Sequence, residues 1–253
     1  MDSHAPVIWA DLVRLKKAAK AAKASLPNLS HAQRLDALAQ QEFGARHYHE
    51  LLQRYEKHAA SHVYLDGAHY CRYCNIGMFS DFDPDDRKAH QERHRRFEEA
   101  ERSLTFLPLA FKSREDMKLR FGYEQFYQGS SAADRRVGAL AIILSHYDRS
   151  LERAIESNRW HKHPCLVEFL PCAIANSTFL AGDVLDQLAS EFGEQPGVIV
   201  EGDTDWPAGV ERQANGSSPE AVESKRLREE ILTAYRGGKA KGMADTATAT
   251  PTV

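Results

Sequence analysis

Four residues carry the clearest chemistry in this chain. Cys71-Arg-Tyr-Cys74 is followed by His90-Gln-Glu-Arg-His94, giving the spacing C-x2-C-x15-H-x3-H. Two thiolates on a tight turn and two imidazoles one helical turn apart supply four ligands in tetrahedral reach of one Zn2+. Histidines four residues apart on a helix share a face. The expected cofactor is therefore one structural zinc ion, held by Cys71, Cys74, His90 and His94. A site closed by four protein ligands keeps no position for water, so it offers no Lewis-acid chemistry.

The elements around these ligands suit them. Residues 62–82 place Val63, Tyr64, His69, Tyr70, Ile76, Met78 and Phe79 around Gly67 and Gly77. That pattern predicts a short β-ribbon. Asp83 is a cap and Pro84 a first-turn residue for a helix running to about Arg102. The result is a ββα unit, too small to build a core without metal.

The stretch CRYCNIGMFSDFDPDDRKAHQERHRRF resembles the C2H2 zinc finger of the cohesin acetyltransferases. Cys71, Cys74, His90 and His94 fall on its ligand positions. Gly77-Met78-Phe79, Asp83-Pro84-Asp85-Asp86 and Phe97 match its supporting pattern. Asn75-Ile76 makes the step before Gly77 slightly longer than in that family. The likeness covers about 30 residues of 253 and implies a zinc finger, not an acetyltransferase. An acetyltransferase would need an Arg/Gln-x-x-Gly-x-Gly/Ala loop after a strand, holding pyrophosphate at a helix N-terminus. Arg135-Arg-Val-Gly138-Ala-Leu140 half-matches that loop, but no apolar strand precedes it. An acyltransferase-like or other enzyme using residues 113–202 is the alternative reading.

Other groupings of chemically capable residues are weaker. His161-Lys-His163-Pro-Cys165 and Cys172 could form a second metal site or a Cys/His pair. Their spacing is not a common zinc spacing, and both cysteines lie in an apolar run, so burial is the better reading. His146-Tyr147-Asp148 lies mid-helix. His47 and His49 flank Tyr48 and read as surface residues. No Walker loop, G-x-S-x-G elbow or H-E-x-x-H is present.

The chain has 253 residues, 42% hydrophobic and 27% charged, enough for a packed core. Its net charge of −3 excludes an overall cationic coat. That value is an average. Residues 1–60 carry nine basic and six acidic side chains, or +3, and the remainder carries −6. Arg14, Lys16, Lys17, Lys20 and Lys23 on the first helix, with Arg93, Arg95 and Arg96 beside His94, are the residues that could contact nucleic acid. Against this, residues 84–102 hold six basic and six acidic side chains, a neutral footprint.

The expected fold class is mainly α (α+β). Residues 1–60 form a helical module, with helices over 8–25, from Ser30 to Gly44, and over 45–59. Residues 62–103 form the finger. Residues 113–202 form a larger helical domain with a few short strands. There, Asp134 to Asn158 is a helix with Ser130 or Ser131 as cap, 161–175 is strand or buried helix, 183–192 is a helix and 196–202 a strand. Residues 203–219 read as linker, 220–235 as a charged helix, and the remaining tail as disordered. Residues 19–52, with a Leu29-Ser30-His31 step and a Gly-aromatic ending, resemble short helical modules at the start of some glyoxalase-like and plasmid- or phage-borne bacterial proteins. That resemblance implies a bacterial mobile-element setting.

With no signal sequence and no apolar run of about 18 residues, a cytoplasmic protein with reduced cysteines and no membrane partner is expected. The function expected is a zinc-binding, non-enzymatic binding or regulatory protein. Its partner is nucleic acid or another protein, and homo-oligomerisation stays open.

Overall fold

The computed structural model describes residues 6–65, 69–78, 83–178, 180, 182–195, 197–200, 204–207 and 218–248. Side chains of 65, 69, 197–200, 204–207 and 239–248 are outside that description. The fold is mainly helical with small antiparallel sheets. The chain forms two compact units, Met1–Arg102 and Ser103–Val253.

In the first unit, α1 (Trp9–Ala21), α2 (His31–Phe43) and α3 (Tyr48–Ser61) pack around Leu12, Leu15, Ala19, Leu35, Leu51 and Tyr55. Local signals set their ends. Ser30 accepts the Gln33 amide and Gln33 returns a bond from Ser30 N, a capping box. Gly44 closes α2 at φ +61°, a left-handed turn that costs glycine nothing. His47 is exposed, as expected, and its ring also caps α3 by accepting the Glu50 amide at 3.1 Å. Arg34 is buried and donates to the carbonyls of Ala19 and Leu29, so a cation sits at the carbonyl end of α1.

A three-stranded meander follows: β1 (Val63–Leu65), β2 (His69–Cys71) and β3 (Gly77–Met78). Tyr64 pairs with Tyr70, and Tyr70 with Gly77. The expected ββα unit thus gains a strand, because the residues just after α3 pair with the cysteine-bearing strand. α4 (Pro84–Leu104) then starts at the predicted proline, with Asp83 Oδ1 accepting the Asp85 amide at 2.8 Å.

The second unit is built on α7 (Ala132–Glu156), with Ser131 and Asp134 forming its capping box. From Gly138 to Ile155 it is buried on most faces, as a central core helix must be. Around it lie α5 (Phe111–Asp116), wide π-helical turns over Met117–Gly122, α6 (Tyr123–Gln128), α8 (Leu166–Ala175), α9 (Asp183–Phe192) and α10 (Pro219–Thr248). Within the ambiguous run 161–175, residues 166–175 form α8. Leu166, Phe169, Leu170, Cys172 and Ile174 are all buried, and burial on several faces erases the periodicity that would have identified a helix.

Two expectations are corrected. Residues read as linker contain a strand, β5 (Thr204–Pro207), paired antiparallel with β4 (Gly197–Val200). A four-residue strand between glycines and prolines looks like linker by composition. Residues 208–217 of that segment lie outside the described residues. The tail read as disordered continues α10 to Thr248, with 249–253 again outside the description. Leu227, Ile231, Leu232 and Tyr235 are buried and anchor the helix, and each further residue then needs only propagation, not nucleation.

Arg135-to-Leu140 lies inside α7, not on a loop. A Cβ at Gly138 would stand 2.4 Å from Phe126 N and 2.7 Å from Gly122 O. This glycine exists to let α6 and the π-helical turns approach α7. Gly138→Ala should therefore cost about 2–3 kcal/mol from overpacking, despite alanine's better helix propensity. Gly237→Ala in α10, where nothing lies within 4 Å, should gain about 0.5–1 kcal/mol. Urea unfolding of both variants measures the two signs.

Candidate metal centre

The site begins with a tight turn after β2. Cys71 ends β2, and Arg72–Cys74 fold back so that Asn75 N donates to Cys71 O and Cys71 N donates to Ile76 O, both at 3.0 Å. Asn75 takes φ +59°, a left-handed conformation that asparagine tolerates better than most side chains. Its Oδ1 accepts the Tyr70 hydroxyl at 2.8 Å, which fixes that conformation. Arg93 of α4 donates Nε to Cys74 O at 2.5 Å, so the helix grips the turn. The Asn75-Ile76 step that departs from the cohesin acetyltransferase pattern supplies these closing bonds.

The four predicted ligands converge. Cys71, Cys74, His90 and His94 are all buried, and one ligand atom from each lies within 4.8 Å of the others. Such a group could hold a metal ion. Cys71 Sγ is 3.8 Å from His94 Nδ1, close to the roughly 3.5 Å expected between a sulfur and a nitrogen on one tetrahedral ion. His90 Nε2 is buried with no hydrogen-bond partner. A buried imidazole nitrogen without a partner is costly, and a cation relieves that cost. The donor set of two thiols and two imidazoles suits zinc.

The two thiols are unequal. Hydrogen bonds from Cys74, His90 and His94 hold the Cys71 thiol well below the ordinary thiol range, against the effect of burial. Its hydrogen bond to Cys71, together with burial, pushes the Cys74 thiol up. A cation would stabilise both as thiolates. Burial disfavours protonated His94, but its bonds to Cys71 and Glu98 outweigh that and raise its pKa.

Glu98 is a supporting residue the sequence did not single out. It stands four residues after His94 on α4. Its Oε1 lies 3.3 Å from His94 Nε2, within ion-pair range but off the line of a good hydrogen bond. Its Oε2 accepts the Trp9 amide at 2.6 Å. With Nδ1 facing Cys71 and Nε2 facing a carboxylate, His94 has the carboxylate–histidine arrangement that orients metal ligands. Tyr73 covers the ring, 4.4 Å between centroids.

The basic residues are largely occupied. Arg14 pairs with Glu42 and Asp11. Lys16 Nζ lies 5.8 Å from the Trp9 and Tyr48 ring centres. Arg93 holds the cysteine turn, and Arg95 stacks over Trp9 at 5.1 Å. Arg96 is half-buried. Lys17 and Lys20 on α1 and Lys23 in the turn after it stay exposed without an ion pair among the described residues.

In the second unit, His163 lies beside Cys165 but both ring nitrogens are engaged. Nε2 is 2.8 Å from Ser150 Oγ and Nδ1 is 2.8 Å from Pro164 O. Burial lowers its pKa to about 4, so the ring stays neutral. Burial pushes the Cys165 thiol up, and Cys172 is buried beside Asn176. His161 is exposed. His163 and Cys165 line a small cavity of about 30 Å³. His146-Tyr147-Asp148 is no triad either: Asp148 binds Arg228, and Tyr147 packs edge-on against His163 and Phe169.

No protein-family model matches the chain, and no curated protein or solved structure matches it. The site stands on its own geometry.

Replacing Glu98 by Gln should keep α4 helical but weaken metal retention about 10- to 100-fold, the usual effect of losing an outer carboxylate. Competition with a chromophoric chelator reads that change directly. Unchanged affinity would show that Glu98 serves only Trp9.

Proposed function

We propose that the chain is a zinc-stabilised, non-enzymatic binding protein. Zn2+ is held by Cys71, Cys74, His90 and His94 and orders the first unit. The buried four-ligand cluster carries this reading. When bound, the ion would supply folding free energy rather than catalysis, since all four of its positions are taken by protein.

The partner is a protein rather than nucleic acid. Five of the eight basic residues expected to contact nucleic acid are half-buried or held by a carboxylate, a ring or a carbonyl of their own unit. The three left, Lys17, Lys20 and Lys23, form a short exposed strip suited to an acidic protein surface. The mobile-element resemblance of residues 19–52 suggests a host-directed or plasmid-encoded regulator as the setting. Among the described residues no helix is long and apolar enough to cross a membrane.

Purified chain should hold one equivalent of zinc by elemental analysis. Cys71→Ser should lose it and open residues 62–102 to limited proteolysis. The helices packed around α7 should stay resistant, because they have their own core. Less than half an equivalent, with Cys71→Ser still folded, overturns the zinc reading.

Any DNA retention should depend weakly on salt. Three lysines release at most about three counterions, so a log–log slope no steeper than about −3 is expected. A slope near −6 would restore the nucleic-acid reading.

A further inference from the structure

A second pair of histidines stands beside the metal centre. His58 on the last turn of α3 and His62 at its C-cap are four residues apart, like His90 and His94. Their ring centroids are 5.0 Å apart at an interplanar angle of 79°. The ligand pair His90–His94 shows 5.4 Å and 87°. The two pairs thus share one geometry. With metal–nitrogen bonds of about 2.1 Å, two imidazoles on one ion at right or tetrahedral angles put their ring centres roughly 4.5–5.2 Å apart. His58–His62 falls inside that interval, and His90–His94 lies 0.2 Å above it.

The surroundings favour a cation. Both rings are half-buried and line a cleft of about 430 Å³ together with Tyr73, Glu98 and Glu101. No hydrogen bond or ion pair joins either imidazole to another described residue; both make ring contacts, and His62 also feels the charges of Cys71 and Glu98. Carboxylates outnumber Arg102, the cleft's one basic side chain among the described residues. A neighbouring divalent ion would not repel a second one, because the two thiolates of Cys71 and Cys74 cancel its charge. That step rests on the zinc reading above.

We propose that His58 and His62 form a second, open site for a divalent transition-metal ion of the zinc, nickel or cobalt class. Imidazole is a preferred ligand for these ions. Two protein ligands leave several positions for water or for a carboxylate of the cleft. The first site is closed and structural, whereas this one could exchange its ion and bind an incoming group. The signal in the sequence is H-x3-H at the end of α3, the same spacing as in the finger.

The test is an anaerobic cobalt titration of the full chain. The first equivalent should bring thiolate-to-cobalt absorption. A second should bind without adding to it. The double substitution His58→Ala and His62→Ala should abolish the second equivalent and keep the thiolate bands. One equivalent only in the unsubstituted chain, or two in the double variant, overturns the proposal. Absence of thiolate bands would instead overturn the zinc reading. A second measurement needs no variant: in zinc-loaded, isotope-labelled protein, substoichiometric Ni2+ should broaden the ring signals of His58 and His62 before those of other histidines. Broadening that starts elsewhere overturns the proposal.

Discussion

The first unit is constrained by four polar side chains buried together. Cys71, Cys74, His90 and His94 occupy the place a small domain would give to leucines. Without a cation, His90 keeps a nitrogen with no partner, and the two thiols compete for neighbouring donors. Each unsatisfied buried group costs about 1–3 kcal/mol. Coordinated, the same groups become the strongest bonds in the unit. The conformation of Asn75, the grip of Arg93 on Cys74 O and the cover of Tyr73 over His94 make sense as devices that hold this cluster in shape. Glu98 carries the constraint further, because one carboxylate faces both a ligand ring and the first amide of α1.

The second unit solves a similar problem without metal. α7 is buried on most faces, yet Asp148 and Glu152 lie on it. Each meets a guanidinium, Asp148 from Arg228 and Glu152 from Arg114 at 2.6 Å. Asp148 also accepts the Leu109 amide, and Arg228 donates to Leu107 O. Each buried carboxylate thus faces a guanidinium, although Arg114 Nε itself is buried with no hydrogen-bond partner. Such pairs add less stability than they add definition. They fix which turn of α10 and α5 faces which turn of α7, a register that a uniformly apolar surface would leave loose.

What the sequence disclosed follows from distance along the chain. The ligand cluster was legible because each half is local: a two-residue loop between cysteines and one helical turn between histidines. The caps at Ser30, Asp83 and Ser131 were legible for the same reason. The roles of the arginines were not. Arg93 beside His94 looks like a phosphate contact until the fold brings Cys74 O to its Nε. Gly138 looks like part of a phosphate loop until α6 is seen against it. Strand β5 and the end of α10 were hidden by composition, since turn-forming and low-complexity residues were read as absence of structure. In each case the deciding partner lies far away in sequence.

The spent arginines bear on function as well as on fold. A guanidinium that holds a carbonyl or covers an indole must break that contact before it can bind a phosphate, so its contact with nucleic acid comes at a loss to its own unit. A protein selected to bind nucleic acid gains by keeping such cations free. This unit commits them inward and leaves carboxylates along its cleft. Of the cations expected to contact nucleic acid, Lys17, Lys20 and Lys23 keep no such internal contact among the described residues. Charge placement, more than net charge, therefore argues for a partner recognised through a limited acidic patch and shape. An ion held by the four ligands would stiffen the unit, and less conformational entropy would then be lost on docking.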